Sequence, residues 1–427
     1  MSNIRLRAFN IIERFISKQK RLDVLDVKTI IENSLRNDII AKKNNYLIQL
    51  LKHASNTTGY YKNLSRGTNI TDFPVTNKNT IKSNFHLFES SKFKGNKLKL
   101  VRTSGSTGLP FKTFQNKEKV RRNNADNLYF SKLAGYSVGN KLYYFRMWDA
   151  YDKKSFLNKW LRNIKTLDVF DLNDAFFNKF VALLSTKKHQ KSFIGYASTF
   201  EQLCKYLDKT KSKPIQTNLQ SVIAISESLN TYTKEAMKKY FQVDMVSRYS
   251  NVENGIIAQQ LPGTEYFLVN TASYFVEILD LNTDTPIKNG NPGRIVITDL
   301  FNYAVPMIRY DTGDIGIMDV IEDKIVLTQV LGRNIDTITD TKGDIILNNI
   351  MMLVNNYHEL NQCQLIQKSA KTYLFKINIK SEFKREKQFI ADFRPHLGSD
   401  AIIEIEYVSE IPLMASGKRR VMVNEMS

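Results

Sequence analysis

Val101-Arg102-Thr103-Ser104-Gly105-Ser106-Thr107-Gly108-Leu109-Pro110 lies between two short runs, 97–102 and 111–115, that read as strands. Its two glycines let a backbone approach a ligand closely, and Ser104, Ser106 and Thr107 add hydroxyl donors. Consecutive amides and hydroxyls in such a loop suit phosphate oxygens. The Gly-Lys-Ser/Thr ending of a Walker loop is missing. A run of Ser, Gly and Thr is also the composition of a plain surface turn, so the neighbouring sequence has to decide.

Working outward, residues 141–147, 192–197, 221–226 and 244–250 read as strands, and 116–134, 198–209 and 230–240 as the helices between them. That alternation predicts an α/β fold. Towards the N-terminus, one long amphipathic helix is expected over about 24–55. After Gly255 the texture turns to strands and turn signals, predicting a β-rich subdomain over about 256–331. Residues 334–427 read as a separate small α+β unit, with a helix near 348–357, strands near 362–367, 372–380 and 401–408, and a charged helix at 382–397.

The 427 residues are 42% hydrophobic and 24% charged, which excludes an intrinsically disordered chain. No window of 18 consecutive apolar residues predicts a membrane-spanning helix. Cys204 and Cys363 are too few for a disulfide framework or a cysteine-based zinc site and read as buried apolar fillers, which fits a cytoplasmic setting. The net charge is +20, and residues 332–427 hold 13 Lys+Arg against 12 Asp+Glu, so residues 1–331 carry +19. The lysines are scattered singly, as in Lys78-Asn79-Thr80-Ile81-Lys82, rather than striped with aromatics. No nucleic-acid partner is expected. Residues 1–21 place Ile4, Phe9, Ile12, Phe15 and Ile16 near one helical face among Arg5, Arg7, Arg14, Lys18 and Lys20. They are too charged for a secretory signal; docking on the chain's own domain and peripheral contact with an anionic membrane are the two readings.

Four further segments carry chemistry. Tyr249-Ser250-Asn251-Val252-Glu253-Asn254-Gly255 follows a strand, where ligands of α/β sheets bind. An aromatic there can stack on a base, and a carboxylate can hold hydrated Mg²⁺. In Arg309-Tyr310-Asp311-Thr312-Gly313-Asp314, the last carboxylate can accept from both hydroxyls of a ribose, although the segment is also a good hairpin turn. Gly332-Arg333-Asn334-Ile335-Asp336 marks the expected domain junction, with Arg333 a multidentate donor. Pro412-Leu413-Met414-Ala415-Ser416-Gly417-Lys418-Arg419-Arg420 is a basic loop near the end of the chain.

In identity, order and spacing these five segments resemble the adenylate-forming superfamily of acyl-CoA synthetases, adenylation domains and luciferases. In particular, they look like its short branch of phenylacetate–CoA ligases and CapK proteins. His53-Ala54 with Tyr60-Tyr61, Pro74-Val75-Thr76-Asn77-Lys78 and Gly195-Tyr196-Ala197-Ser198 also look like that branch. The sequence departs from the pattern at Phe111, where many relatives place Lys. It departs again at Ser250 for Gly, Val252 for Thr/Ser, Met414 for Thr, and Ile335 at the hinge, with Asp336 one residue later.

The resemblance implies a large ATP- and acid-binding domain over 1–332 and a mobile C-terminal lid over 333–427. It implies an ATP- and Mg²⁺-dependent ligase that converts a small carboxylic acid into an acyl-adenylate with release of pyrophosphate. The acyl group then passes to CoA, to a carrier thiol, or to an amine in capsular polysaccharide biosynthesis. It places Thr103, Ser104, Gly105, Ser106, Thr107 and Gly108 on the phosphates, and Tyr249 with Ser250 and Asn251 beside the adenine. Ser226, Glu227 and Ser228 line the same pocket, Glu253 holds Mg²⁺, and Asp314 binds the ribose with Arg333. Lys418 bridges the carboxylate and the α-phosphate. Phe145, Met147 and Trp148 read either as an acyl pocket or as core. A catalytically silent nucleotide-binding homologue is the competing reading, resting on Ser250, Val252 and Ile335.

Overall fold

The computed structural model describes residues 18–64, 69–103, 111–148, 159–160, 162–185, 189–333, 338–344, 346, 348–357, 359–379, 382–412 and 421–426. Two helices, α1 (Lys18–Glu32) and α2 (Asn37–Thr57), occupy the region where the sequence predicts one. Local chemistry breaks them apart. Asn33 turns its amide onto the Thr29 carbonyl (2.9 Å), and Arg36 is extended, with its guanidinium 2.6 Å from Asp38. Short polar side chains compete with a helix for its backbone partners. A short helix α3 (Lys78–Ser83) and the longer α4 (Lys117–Leu133) follow. Val27, Ile30 and Ile31 of α1 share a core with Ala125, Tyr129 and Phe130 of α4.

Strands β1 (Lys99–Arg102) and β2 (Lys112–Gln115) form a separate antiparallel hairpin. β3 (Lys141–Arg146), β4 (Ile164–Asp168), β5 (Lys191–Tyr196), β6 (Leu219–Ile225) and β7 (Met245–Asn251) pair in parallel, in the order β4-β3-β5-β6-β7. Parallel strands need covering, and the central residues of β6, Ser221 to Ala224, are all buried. Helices α5 (Asp174–Leu184), α6 (Ala197–Lys209) and α7 (Thr231–Phe241) cover one face with a core rich in phenylalanine. Phe145, Phe180, Phe193 and Phe200 meet there mostly edge to face. Burying each such ring contributes about 1.5–3 kcal/mol.

The strands expected as a β-rich subdomain do not form a sheet of their own. β8 (Gly255–Gln260) folds back antiparallel on β7. β9 (Phe267–Val269), β13 (Lys324–Arg333), β12 (Tyr310–Ile321), β11 (Pro292–Asp299) and β10 (Tyr274–Leu279) then extend the same ladder to eleven strands. What changes at Gly255 is strand direction. That residue has φ +115°, and a Cβ on it would lie 2.8 Å from Asn123 Oδ1, so both backbone and space demand glycine.

The C-terminal residues close around a second core. β14 (Leu360–Gln367), β15 (Thr372–Ile379), β16 (Ile402–Tyr407) and β17 (Met422–Asn424) form a sheet in the order β16-β15-β14-β17. Phe389, Phe393 and Leu397 of α8 (Glu386–Leu397) pack on it. Residues Asn348–Asn356, expected as a helix, form a 3-10 stretch. Among the described residues no helix is long and apolar enough to cross a membrane.

Candidate active site

The β1–β2 hairpin presents the Gly-rich loop at its tip. Thr103 N donates to the Phe111 carbonyl (2.9 Å) and Phe111 N donates back to Thr103 Oγ1 (3.2 Å), closing the base of that loop. Ser104, Gly105, Ser106, Thr107 and Gly108 lie outside the described residues, as do Lys418 and the hinge positions Ile335 and Asp336. The hairpin is tied to the predicted metal ligand, because Gln115 Nε2 donates to the Glu253 carbonyl at 2.9 Å.

Glu253 is buried, and its Oε1 accepts from the Tyr310 hydroxyl at 2.8 Å. Burial first, and then the Glu253 charge, push the Tyr310 hydroxyl well above its ordinary pKa, so it stays protonated as a donor. Two of the motifs are thereby in direct contact. A third landmark joins them: Thr76 forms a parallel bridge with Tyr310, donating to the Arg309 carbonyl (2.9 Å) and accepting from Asp311 N (2.7 Å). Asn77 then caps α3 through Thr80 N (2.9 Å), which sets Lys78 facing the site. Lys78 Nζ stands 4.0 Å from Glu253 Oε1 and 5.3 Å from the centre of the Phe111 ring.

Tyr249 connects to the ribose-binding candidate. Its hydroxyl donates to Asp314 Oδ2 at 2.7 Å and lies 3.1 Å from Thr312 Oγ1. Burial and the Asp314 charge raise the pKa of this hydroxyl well above the usual value. Across the ladder, Asp314 is the register partner of Arg333. Ser250 and Asn251 sit half-buried beside Tyr249, and Asn251 Oδ1 accepts from Asn254 N (2.8 Å), tightening the turn that carries Glu253. Arg309, in the same motif as Asp314, is scaffold. It is buried in the left-handed region (φ 46°), with its guanidinium 3.1 Å from Glu277 and donating to the Phe73 and Asp284 carbonyls.

At the ends of β3, β5 and β6 the backbone is under constraint. Ser226 adopts φ +68°, a conformation that costs a non-glycine residue about 1–3 kcal/mol. Ser226 and Ser228 are exposed, whereas Glu227 is half-buried and its Oε2 accepts from Ser198 N (2.8 Å) at the start of α6. One oxygen of that carboxylate is therefore used as a helix cap. Gly195 lets β5 approach β3, since a Cβ there would lie 2.7 Å from Phe145 Cβ. Phe145 is core. Trp148 is half-exposed, donating to the Leu167 carbonyl (3.1 Å), with the Arg146 guanidinium 5.1 Å from its ring centre.

A family profile described as the CapK C-terminal domain matches residues 337–425. Protein CapK of Staphylococcus aureus is 19% identical over 378 residues, covering 84% of this chain and 81% of that protein. The chain is thus CapK-like: similar to that protein over most of its length, and matched by the CapK C-terminal profile near its end. Indoleacetate–lysine synthetase of Pseudomonas savastanoi is 29% identical over 143 residues, but that match spans only 32% of each protein. In fold, the CapK-like chain is similar to 2-hydroxyisobutyryl-CoA ligase in its postadenylation state, with a TM-score of 0.70 at 16% identity, covering 90% and 89% of the two chains. The same ligase in its thioesterification state gives 0.60 at 16% identity, covering 92% of each chain.

Behind the Glu253 turn, the CapK-like chain buries a charged network that the sequence did not reveal. Lys119 and Asp299, both fully buried, form an ion pair at 2.7 Å rather than a well-aligned hydrogen bond. Lys119 Nζ also donates to the Tyr274 hydroxyl (3.1 Å), which donates onward to the Asn254 carbonyl (2.6 Å). One turn along α4, Arg122 donates to Asp26, Ser273 and the Ala272 carbonyl. The only signal available in advance was spacing: Lys119, Arg122 and Asp126 share one face of α4, the pattern of an ordinary solvated helix.

Proposed function

We propose that this CapK-like chain is an ATP-dependent, AMP-forming ligase. A carboxylate oxygen attacks the α-phosphorus of ATP, the bond to the pyrophosphate oxygen breaks, and the acyl-adenylate and pyrophosphate result. The observation that carries the reading is the convergence of four distant segments: Gln115 and Tyr310 on Glu253, Lys78 beside it, and Tyr249 on Asp314.

Glu253 fits a magnesium ligand. Oε1 is held by Tyr310, and Oε2 has no protein partner among the described residues. Those residues gather no set of three or more His, Cys, Asp or Glu for a metal. One carboxylate is what Mg²⁺ uses when water and substrate phosphates supply its other ligands. When bound, the ion would draw charge from the leaving pyrophosphate. Thr103 and the loop residues Ser104, Gly105, Ser106, Thr107 and Gly108 would wrap the phosphates, and Tyr249 would flank the adenine. Asp314, with Arg333, would take the ribose hydroxyls. Lys418 on a mobile lid would neutralise the carboxylate–phosphate centre. The different scores against two states of one CoA ligase are in keeping with a small domain that shifts during turnover.

Lys78 joins this set. With Phe111 where relatives carry a loop lysine, the cation over its ring stands where the phosphates would emerge from the hairpin. Lys78→Ala is expected to slow acid-dependent exchange about tenfold at subsaturating ATP, with an unchanged thermal midpoint because the side chain is 43% exposed. Equal exchange by parent and variant at low ATP would remove Lys78 from the site.

The CoA-ligase neighbours favour a thiol acceptor, whereas the likeness to an indoleacetate–lysine synthetase favours an amine, as polysaccharide assembly would need. ATP–pyrophosphate exchange over a broad panel of carboxylic acids tests the first half-reaction, with Asp314→Ala and Lys418→Ala as controls. Acid-dependent exchange that both variants abolish is expected. Its absence from folded protein would favour the catalytically silent homologue. Mass spectrometry after adding CoA, or a panel of amines, then distinguishes the acceptors.

A further inference from the structure

Helix α1 has two unlike faces. Val27, Ile30 and Ile31 face the core, and the acidic residues of the helix are neutralised where it meets its neighbours. Asp23 lies 2.6 Å from Arg121, and Asp26 pairs with Arg122 (2.5 Å) and Lys42. The outward face is different. Leu22 and Leu25 are 46% and 57% exposed, unusual for leucines on a helix whose inner face is well buried. Around them at helical spacing stand Lys18, Arg21 and Lys28. Lys28 is loosely paired with Glu32 at 3.9 Å, whereas Lys18 and Arg21 have no ion pair among the described residues.

The sequence that runs into this helix repeats the chemistry. Residues 1–17 lie outside the described residues, but they hold Ile4, Phe9, Ile12, Phe15 and Ile16 together with Arg5, Arg7 and Arg14, against the single acid Glu13. We propose that the outward face of α1 docks on an anionic phospholipid surface. Leu22 and Leu25 enter the headgroup boundary while Lys18, Arg21 and Lys28 meet lipid phosphates, the division of labour of an interfacial helix. A second copy of the chain fits this face less well, because it would bring two clusters of like charge together. The strong positive balance of residues 1–331 adds long-range attraction to the same partner.

The test is co-sedimentation of the full chain with two kinds of vesicle, phosphatidylcholine alone and equal parts phosphatidylcholine and phosphatidylglycerol. Binding is expected only to the second kind, weakening steeply as salt rises. Arg21→Glu should weaken it at least about fivefold, since one juxtamembrane cation is worth about that factor. Leu22→Gln with Leu25→Gln should weaken it about tenfold or more. Unaltered thermal midpoints would show that the variants fold. Equal binding to both vesicles, or to neither, would overturn the proposal. So would concentration-dependent dimerisation that the leucine variants abolish, which would assign this face to a second copy.

Discussion

Glu253→Gln is expected to fold as the parent does and to lose acid-dependent ATP–pyrophosphate exchange by on the order of 10²–10³-fold, the usual effect of deleting one electrostatic contact to a reacting centre. Glutamine keeps the size of the side chain. Its amide oxygen can still accept from the Tyr310 hydroxyl, and the backbone carbonyl that Gln115 holds is untouched. What disappears is the charge, and charge is what a buried carboxylate offers a divalent ion. The Mg²⁺ concentration for half-maximal exchange should therefore rise along with the loss of rate. Tyr310→Phe separates the two contributions, because it frees Glu253 Oε1 without removing its charge, and about a tenfold loss is expected. Exchange by Glu253→Gln within a few-fold of the parent, at an unshifted Mg²⁺ requirement, would show that Glu253 is a structural acid.

Much of this arrangement was legible in the sequence, and the misses have physical causes. Helices expected at 116–134, 198–209 and 230–240 are found within about a residue at each end, because apolar spacing and, for the last, a capping asparagine are local signals. Asn230, for example, caps α7 through Thr233 N at 2.8 Å. Strand β9 is three residues long, too short for a periodicity, and β17 exists only by pairing with the distant β14. Helix α5, Asp174–Leu184, has its buried Phe177, Phe180 and Leu184 on one face, but at about three turns it offers only a short run of that pattern. Strand direction is not written locally at all, so the sequence did not tell that the β-rich stretch continues the parallel sheet into one ladder of eleven strands. In the site, Tyr249, Glu253 and Asp314 were visible because each belongs to a segment with a recognisable order of residues. Tyr310 and Lys78 also lie in segments that stood out, but their meeting with Glu253, like that of Gln115, is made across the fold and is not written in the local sequence.

Lys119→Met is expected to destabilise the protein by about 3–5 kcal/mol, read from the denaturant midpoint, because it leaves the fully buried Asp299 carboxylate without its cation. Methionine fills a similar volume, so little of the loss should come from a cavity. Adding Asp299→Asn removes the stranded charge while its side-chain oxygen can still accept from Phe301 N, a contact of 3.1 Å in the parent. The double variant should therefore recover most of the stability. Its remaining deficit should be about 1–2 kcal/mol, the value of the hydrogen bond that Lys119 made to the Tyr274 hydroxyl. If the double variant is as unstable as the sum of the two single ones, the pair is not coupled and the account of it fails. Restored stability need not restore exchange. Without Lys119, the Tyr274 hydroxyl is held only by the Asn254 carbonyl, and the backbone next to Glu253 loses the brace that fixes it from behind. A double variant that folds well yet still exchanges slowly would show that this buried pair is there to hold the Glu253 turn in place, since a pair of hydrophobic residues could have supplied the stability alone.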